Sequence, residues 1–193
     1  MREIMPGVLV GIPESILNIS NMPLANFKTH QLWTWQHKDN EDWWQDIADY
    51  AHGDCKHPLL TFLGKPGTGK THLAQAIGWE WLMMGMTVFY NHTVGFLDKL
   101  RDSYKTSDTS LIVDFAKNAS LLILDDLGSE KLTEWAGQEL DFIIDYRYEY
   151  KKPLIITSNL TLKQLPVRIS DRLCEGIIVV LGGESFRRKG GLK

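Results

Sequence analysis

The sequence predicts an α/β domain built on a doubly wound, five-stranded parallel sheet flanked by helices. Three observations predict it. From Leu59 onward short apolar runs alternate with longer segments of helical period. The runs are apolar throughout, as strands covered on both faces must be. Glycines, aspartates and an asparagine gather just beyond the ends of three of these runs, where open parallel sheets bind ligands.

Residues 1–57 read as an irregular lead-in that packs on the domain of residues 58–193. Pro6, Gly7, Gly11, Pro13 and Pro23 interrupt it, and one helix is expected near Glu41 to Ala51. Its tryptophans Trp33, Trp35, Trp43 and Trp44 suit either core packing or a stacking platform for bases. The five expected strands are Leu59 to Leu63, Thr87 to Tyr90, Leu121 to Leu124, Leu154 to Thr157 and Ile177 to Val180. Helices are expected over Lys70 to Met84, Val94 to Tyr104, Leu111 to Asn118 and Thr133 to Tyr150.

With 193 residues, 44% hydrophobic and 23% charged, the chain suits one domain with a substantial core. A net charge of −3 argues against binding nucleic acid by bulk electrostatics. Its distribution is uneven: Arg168 to Lys193 holds six basic and three acidic residues, which leaves −6 on the remainder. Cys55 and Cys174 lie 119 positions apart, so no disulfide framework is suggested and a reducing cytoplasm is expected. His52, Cys55 and His57 match no common zinc spacing. The N-terminus shows no apolar run long enough for a signal peptide or membrane helix.

The run Gly64-Lys65-Pro66-Gly67-Thr68-Gly69-Lys70-Thr71 fits GxxxxGK[ST], follows the first strand and opens a helix. Its glycines let successive N–H groups turn toward phosphate oxygens, and the helix N-terminus adds its dipole. Lys70 is expected on the β and γ phosphates and Thr71 on magnesium, with His72 beside them. The strand Leu121 to Leu124 delivers Asp125 and Asp126 at its carboxyl end: Asp125 for the magnesium shell, Asp126 for orienting the attacking water. Many ATPases place a glutamate where Asp126 stands, and the shorter side chain bears on the hydrolysis rate. Asn159, after the strand Leu154 to Thr157, is the expected sensor of the γ-phosphate. Arg147 shares a helical face with Leu140, Ile143 and Ile144, so it needs either an internal carboxylate or a partner across a subunit interface.

Taken together, GKPGTGKTHLA, LLILDDLG, TEWAGQELDFIIDYRYEYKKPLIITSNL, RISDRL and GESFRR resemble the AAA+ helicase loaders of the DnaC and DnaI type. IstB-like transposition helper ATPases share much of this ordered set. The resemblance spans Gly11 to Arg188. It implies binding of ATP and ADP with magnesium, ATP hydrolysis, and a role in DNA replication. Its implied partners are a replicative helicase, single-stranded DNA and further copies of the chain, assembled on ATP and DNA. By the same resemblance Asn159 is the sensor-one residue, Arg172 in RISDRL the arginine finger and Arg187 in the terminal SFRR element a sensor-two residue, although no separate helical lid is recognisable. Loaders of this type carry an N-terminal domain that grips the helicase. About fifty residues precede the first strand here, so the helicase partnership rests on the resemblance alone.

Lys99, Arg101 and Lys105 fall where initiator and loader ATPases place a helix lining a DNA channel, with Phe96 and Tyr104 available for stacking. Asp98 and Asp102 alternate with these bases, so a solvated helix is the alternative. A small-molecule P-loop kinase is a further alternative. Such kinases usually carry an arginine-rich lid mid-chain, where this sequence offers only Arg101 before Arg147.

Overall fold

The structure, a computed structural model, describes residues 20–22, 43–106, 109–129, 133–183 and 185. The five apolar runs form strands β1 (Leu59–Gly64), β2 (Val88–His92), β3 (Leu121–Leu127), β4 (Leu154–Ser158) and β5 (Ile177–Leu181). All pair in parallel, in the order β2-β3-β4-β1-β5. Since β1 lies between β4 and β5, and β3 beside β4, the carboxyl ends of β1, β3 and β4 stand together. That topology brings Gly64, Asp125 and Ser158 to one edge of the sheet.

Helices cover both faces. On one side α1 (Trp44–Ala51) and α2 (Lys70–Met83) pack on Leu60, Phe62, Ile123 and Ile155. On the other lie α3 (Thr93–Thr106), α4 (Thr109–Asn118), α5 (Glu134–Glu149) and α6 (Val167–Cys174), against Leu59, Leu122, Leu124 and Leu154. The alternation along each strand is the period-2 geometry of extended chain. α2 is apolar around most of its circumference, from Leu73 to Leu82, because the sheet lies beneath it and α1 outside.

Thr133 caps α5 by accepting the Ala136 N–H at 3.3 Å. Met22, Ile47, Tyr50 and Ala51 are buried in the first core, with Trp43 and Trp44 packed against it. These two tryptophans are therefore packing residues. Trp33 and Trp35 lie outside the described residues.

One irregularity matters for the site. Between β3 and β4, Leu124 pairs with Ile156 and Leu127 with Ser158, so β3 carries one extra residue over this stretch. Asp126 takes up the bulge with φ 60°. The two aspartates consequently point to different neighbours.

Candidate nucleotide and magnesium site

The phosphate loop requires its glycines. Gly64, Gly67 and Gly69 have φ of 147°, 84° and 99°, a region where a Cβ is strained. A Cβ at Gly64 would also stand 2.3 Å from the Leu181 carbonyl oxygen, and one at Gly67 2.0 Å from Ser185 Oγ. Thr68 Oγ1 donates to the Lys65 carbonyl at 2.9 Å and closes the turn, and Lys65 and Pro66 are exposed at its tip. Gly69 precedes the first residue of α2, and His72 is half-buried on that first turn. Lys70 is buried, and its ammonium donates to the carbonyls of Gly64 (2.8 Å) and Lys65 (2.9 Å) and to Asn159 Oδ1 (2.8 Å).

Asp125 is wholly buried and its carboxylate is fully engaged. Oδ1 accepts from Thr71 Oγ1 at 2.9 Å and from Thr157 Oγ1 at 2.6 Å. Oδ2 accepts from the Tyr90 hydroxyl at 2.8 Å and lies 3.2 Å from His92 Nδ1. Thr157 also accepts the Asp126 N–H at 2.9 Å, which fixes the bulge. Asp126 then receives the Asn159 amide on its own oxygen at 2.6 Å. Asn159 thus spans Lys70 and Asp126, and Thr157 spans both aspartates. Tyr90, Gln75, Thr157 and His92 were not singled out from the sequence. The only sequence signal for Tyr90, Thr157 and His92 was a polar group near the end of an apolar strand, and Gln75, inside α2, carried none.

These residues fit a magnesium nucleotide. Thr71 gives its hydroxyl hydrogen to Asp125, so its oxygen lone pairs remain for a hard cation. Among the described residues no three His, Cys, Asp or Glu side chains converge to hold a metal. Magnesium bound with a nucleotide needs only one or two protein oxygens, the rest coming from phosphate and water.

The remaining candidates lie elsewhere. Arg172 on α6 is held on its own chain: it pairs with Asp145 and, at 3.1 Å, with Glu175, and it lies 5.0 Å over the Tyr148 ring. The Asp145 carboxylate raises its pKa. Arg168 is 86% exposed and pairs with Asp141 at 3.2 Å. Arg187 lies outside the described residues. On α3, Lys99 donates to Asn91 Oδ1 at 3.2 Å, while Arg101 pairs with Asp98 at 3.1 Å and Lys105 with Asp102 at 2.9 Å. Phe96 is fully buried and cannot stack on bases, because its turn of α3 faces the sheet. Tyr104 is exposed and meets Trp135, whose ring also carries the Arg101 guanidinium at 4.9 Å.

Arg147 has neither of its expected partners. Its guanidinium is buried and gives six hydrogen bonds to five backbone carbonyls, those of Ala116, Lys117, Ala119, Ser120 and Pro153. Carbonyls at the end of a helix carry partial negative charge, so they substitute for a carboxylate. Burial lowers its pKa to about 10, which leaves it charged at neutral pH.

Comparison with known proteins places this geometry in context. Residues 16–191 match the profile of the IstB-like ATP binding protein family. The chain is 29% identical to the replicative helicase loader DnaC of Escherichia coli K12 over 136 residues, 66% of this chain and 56% of that protein. It is 28% identical to the insertion sequence IS5376 putative ATP-binding protein of Geobacillus stearothermophilus over 184 residues, 90% of this chain and 72% of that protein. A 29% match to the phage-like element PBSX protein XkdC of Bacillus subtilis covers 72% of this chain and 57% of that protein. The chain therefore spans little more than half the length of the DnaC and XkdC relatives. Among solved structures, the DnaC helicase loader superposes with a TM-score of 0.64 at 27% identity, over 88% of this chain and all of that one. DnaA bound to AMPPCP and single-stranded DNA gives 0.74 at 22% identity, over 86% of this chain and 52% of that one, and shares the fold.

Proposed function

Because the chain belongs to the IstB-like ATP-binding protein family, we propose that it is a magnesium-dependent ATPase that acts on DNA-bound assemblies, as a loader of a replicative helicase onto single-stranded DNA. The observation that carries the ATPase reading is the convergence of Lys70, Asn159, Asp125 and Asp126 at adjoining strand ends. The loader reading draws on the superposition with the whole of the DnaC helicase loader chain.

In this reading the loop amides and Lys70 bind the phosphates. Thr71 and Asp125 hold magnesium, which when bound offsets charge on the phosphate oxygens. Asp126 orients the attacking water and accepts its proton, and the Asn159 amide fixes the Asp126 oxygen while its carbonyl positions Lys70. Residues 58–193 form the motor, and assembly supplies Arg172 to a neighbour's nucleotide. Single-stranded DNA runs along α3, where exchange of exposed partners by Arg101 and Lys105 costs little. Tyr104 and Trp135 offer the rings on which bases stack.

The test measures phosphate release with and without single-stranded DNA, together with DNA binding across a salt series. The expected result is ATPase activity stimulated by DNA, and binding that weakens with salt and loses slope in a Lys99→Ala, Arg101→Ala, Lys105→Ala variant. Binding unchanged in affinity and slope would remove α3 from the interface. A second reading, a transposition helper, is favoured by the IS5376 relative, which matches 90% of the chain. Stimulation by a cognate transposase and not by a helicase would select it.

A further inference from the structure

The two oxygens of Asp125 are held by different kinds of residue. Oδ1 takes its hydrogen bonds from Thr71, in the phosphate loop motif, and from Thr157 on β4. Oδ2 takes one from Tyr90, which belongs to no motif and sits on β2 with its ring buried. Behind Tyr90 lies Gln75 on α2, also buried, whose Nε2 is 2.9 Å from the phenolic oxygen.

The direction of this chain of bonds follows from chemistry alone. An ionised carboxylate has no hydrogen, so the Tyr90 hydroxyl must donate to Asp125. Having spent its one hydrogen, the hydroxyl can only accept from Gln75, and only the amide nitrogen can give. The relay Gln75 to Tyr90 to Asp125 is therefore one-way and ends on the carboxylate. At the opposite oxygen, Thr71 donates its hydrogen and keeps its lone pairs for a cation. Rotation of the carboxylate about its Cβ–Cγ bond would spoil both arrangements, and a charge-assisted bond from the far side resists that rotation.

We propose that Gln75 and Tyr90 are positioning residues for the magnesium site, Tyr90 pinning Asp125 so that its Oδ1 keeps the Thr71 hydroxyl turned with its lone pairs toward the cation. This rests on the reading that Asp125 and Thr71 hold magnesium. His92 also reaches Oδ2, but its side chain is 66% exposed. Tyr90 is the buried, directed contact.

The test uses nucleotide affinity, which needs no turnover. ATP binding to the wild type, Tyr90→Phe and Gln75→Met is titrated in EDTA and across a magnesium series. For Tyr90→Phe the expected result is affinity in EDTA within about twofold of wild type and a magnesium midpoint raised about tenfold, as when an outer contact to a metal ligand is lost. Gln75→Met, which leaves the phenol but frees it to turn, should shift the midpoint in the same direction by about threefold. A midpoint within twofold of wild type in Tyr90→Phe overturns the proposal. So does an equal loss of affinity in EDTA and in magnesium, which marks Tyr90 as a packing residue only. Should Tyr90→Phe not fold, an unshifted midpoint in Gln75→Met overturns it instead. A wild-type affinity indifferent to magnesium fails differently, since it removes the metal reading underneath.

Discussion

Lys70 and Asn159, 89 residues apart in sequence, meet at 2.8 Å, the ammonium donating to the side-chain oxygen. The contact exists because β1 and β4 are neighbours in the sheet, with Leu63 opposite Ser158. It separates two roles that one substitution each can expose. Lys70→Ala removes the fixed charge facing the phosphates and should abolish ATP binding in a direct titration. Asn159→Ala leaves that charge in place and should retain binding while lowering turnover by about a hundredfold, the scale of one lost transition-state donor. Equal loss of affinity in both variants would make Asn159 part of the binding site only.

Asp125 and Asp126 are adjacent in sequence but the bulge gives them separate surroundings, one buried among Thr71, Thr157 and Tyr90, the other at Asn159. Asp125→Asn should weaken magnesium-dependent binding. Asp126→Asn should keep affinity near wild type and lower turnover by about 10² to 10⁴, the usual contribution of a positioned base. Titration and single-turnover rates in parallel check this division, and a matching fall in affinity for both would refute it.

Arg147→Met should leave the carbonyls of Ala116, Lys117, Ala119 and Ser120, at the end of α4 and the turn into β3, without the guanidinium, while the Pro153 carbonyl keeps the Leu122 N–H. An unsatisfied buried polar group costs about 1–3 kcal/mol, so a loss of at least about 3 kcal/mol is expected. Arg147→Lys keeps the charge with fewer donors and should fall between. The urea midpoint measures both. A midpoint unchanged in Arg147→Met would mean that water replaces the guanidinium at no cost.

The same arginine marks what the sequence could and could not convey. Periodicity put Arg147 on an apolar stripe, but its partners are main-chain oxygens, and a main-chain oxygen leaves no mark in the identity of a residue. The inner strands were legible because both faces of each are covered, which leaves uninterrupted apolar runs such as Leu121 to Leu124, and the edge strand β5 is apolar throughout although Val180 is exposed. The phosphate loop was legible because its backbone admits only glycine at Gly64 and Gly67. The support of Asp125 by Tyr90 was not, since it depends on which strand lies beside β3. Phe96 misled for a related reason: the charges that follow it, Asp98, Lys99, Arg101 and Asp102, suggested an exposed helix, whereas α3 turns that residue onto the sheet.

Arg172 tests whether the protein is an assembling motor. In the isolated chain its guanidinium is spent on Asp145 and Glu175, on the face shared by α5 and α6. To serve a neighbouring subunit's nucleotide it must leave these carboxylates for the γ-phosphate. Exposed pairs of this kind are screened by water and contribute little, so the exchange is feasible once a more concentrated negative charge arrives. Arg172→Ala should then keep ATP binding and lose hydrolysis, by up to about 10³ to 10⁵ for a full finger. The decisive experiment mixes Arg172→Ala subunits with Lys70→Ala subunits, each inactive alone. Only a shared site can recover activity, because the mixed interface joins an intact phosphate loop on one subunit to an intact arginine on the next. Asp145→Ala serves as control: it removes one of the two carboxylates that hold the guanidinium and should leave turnover no lower than wild type. If mixed subunits sediment together with ATP and DNA yet release no phosphate, the arginine does not act across the interface. Its role is then confined to the pairing with Asp145 that the single chain already displays.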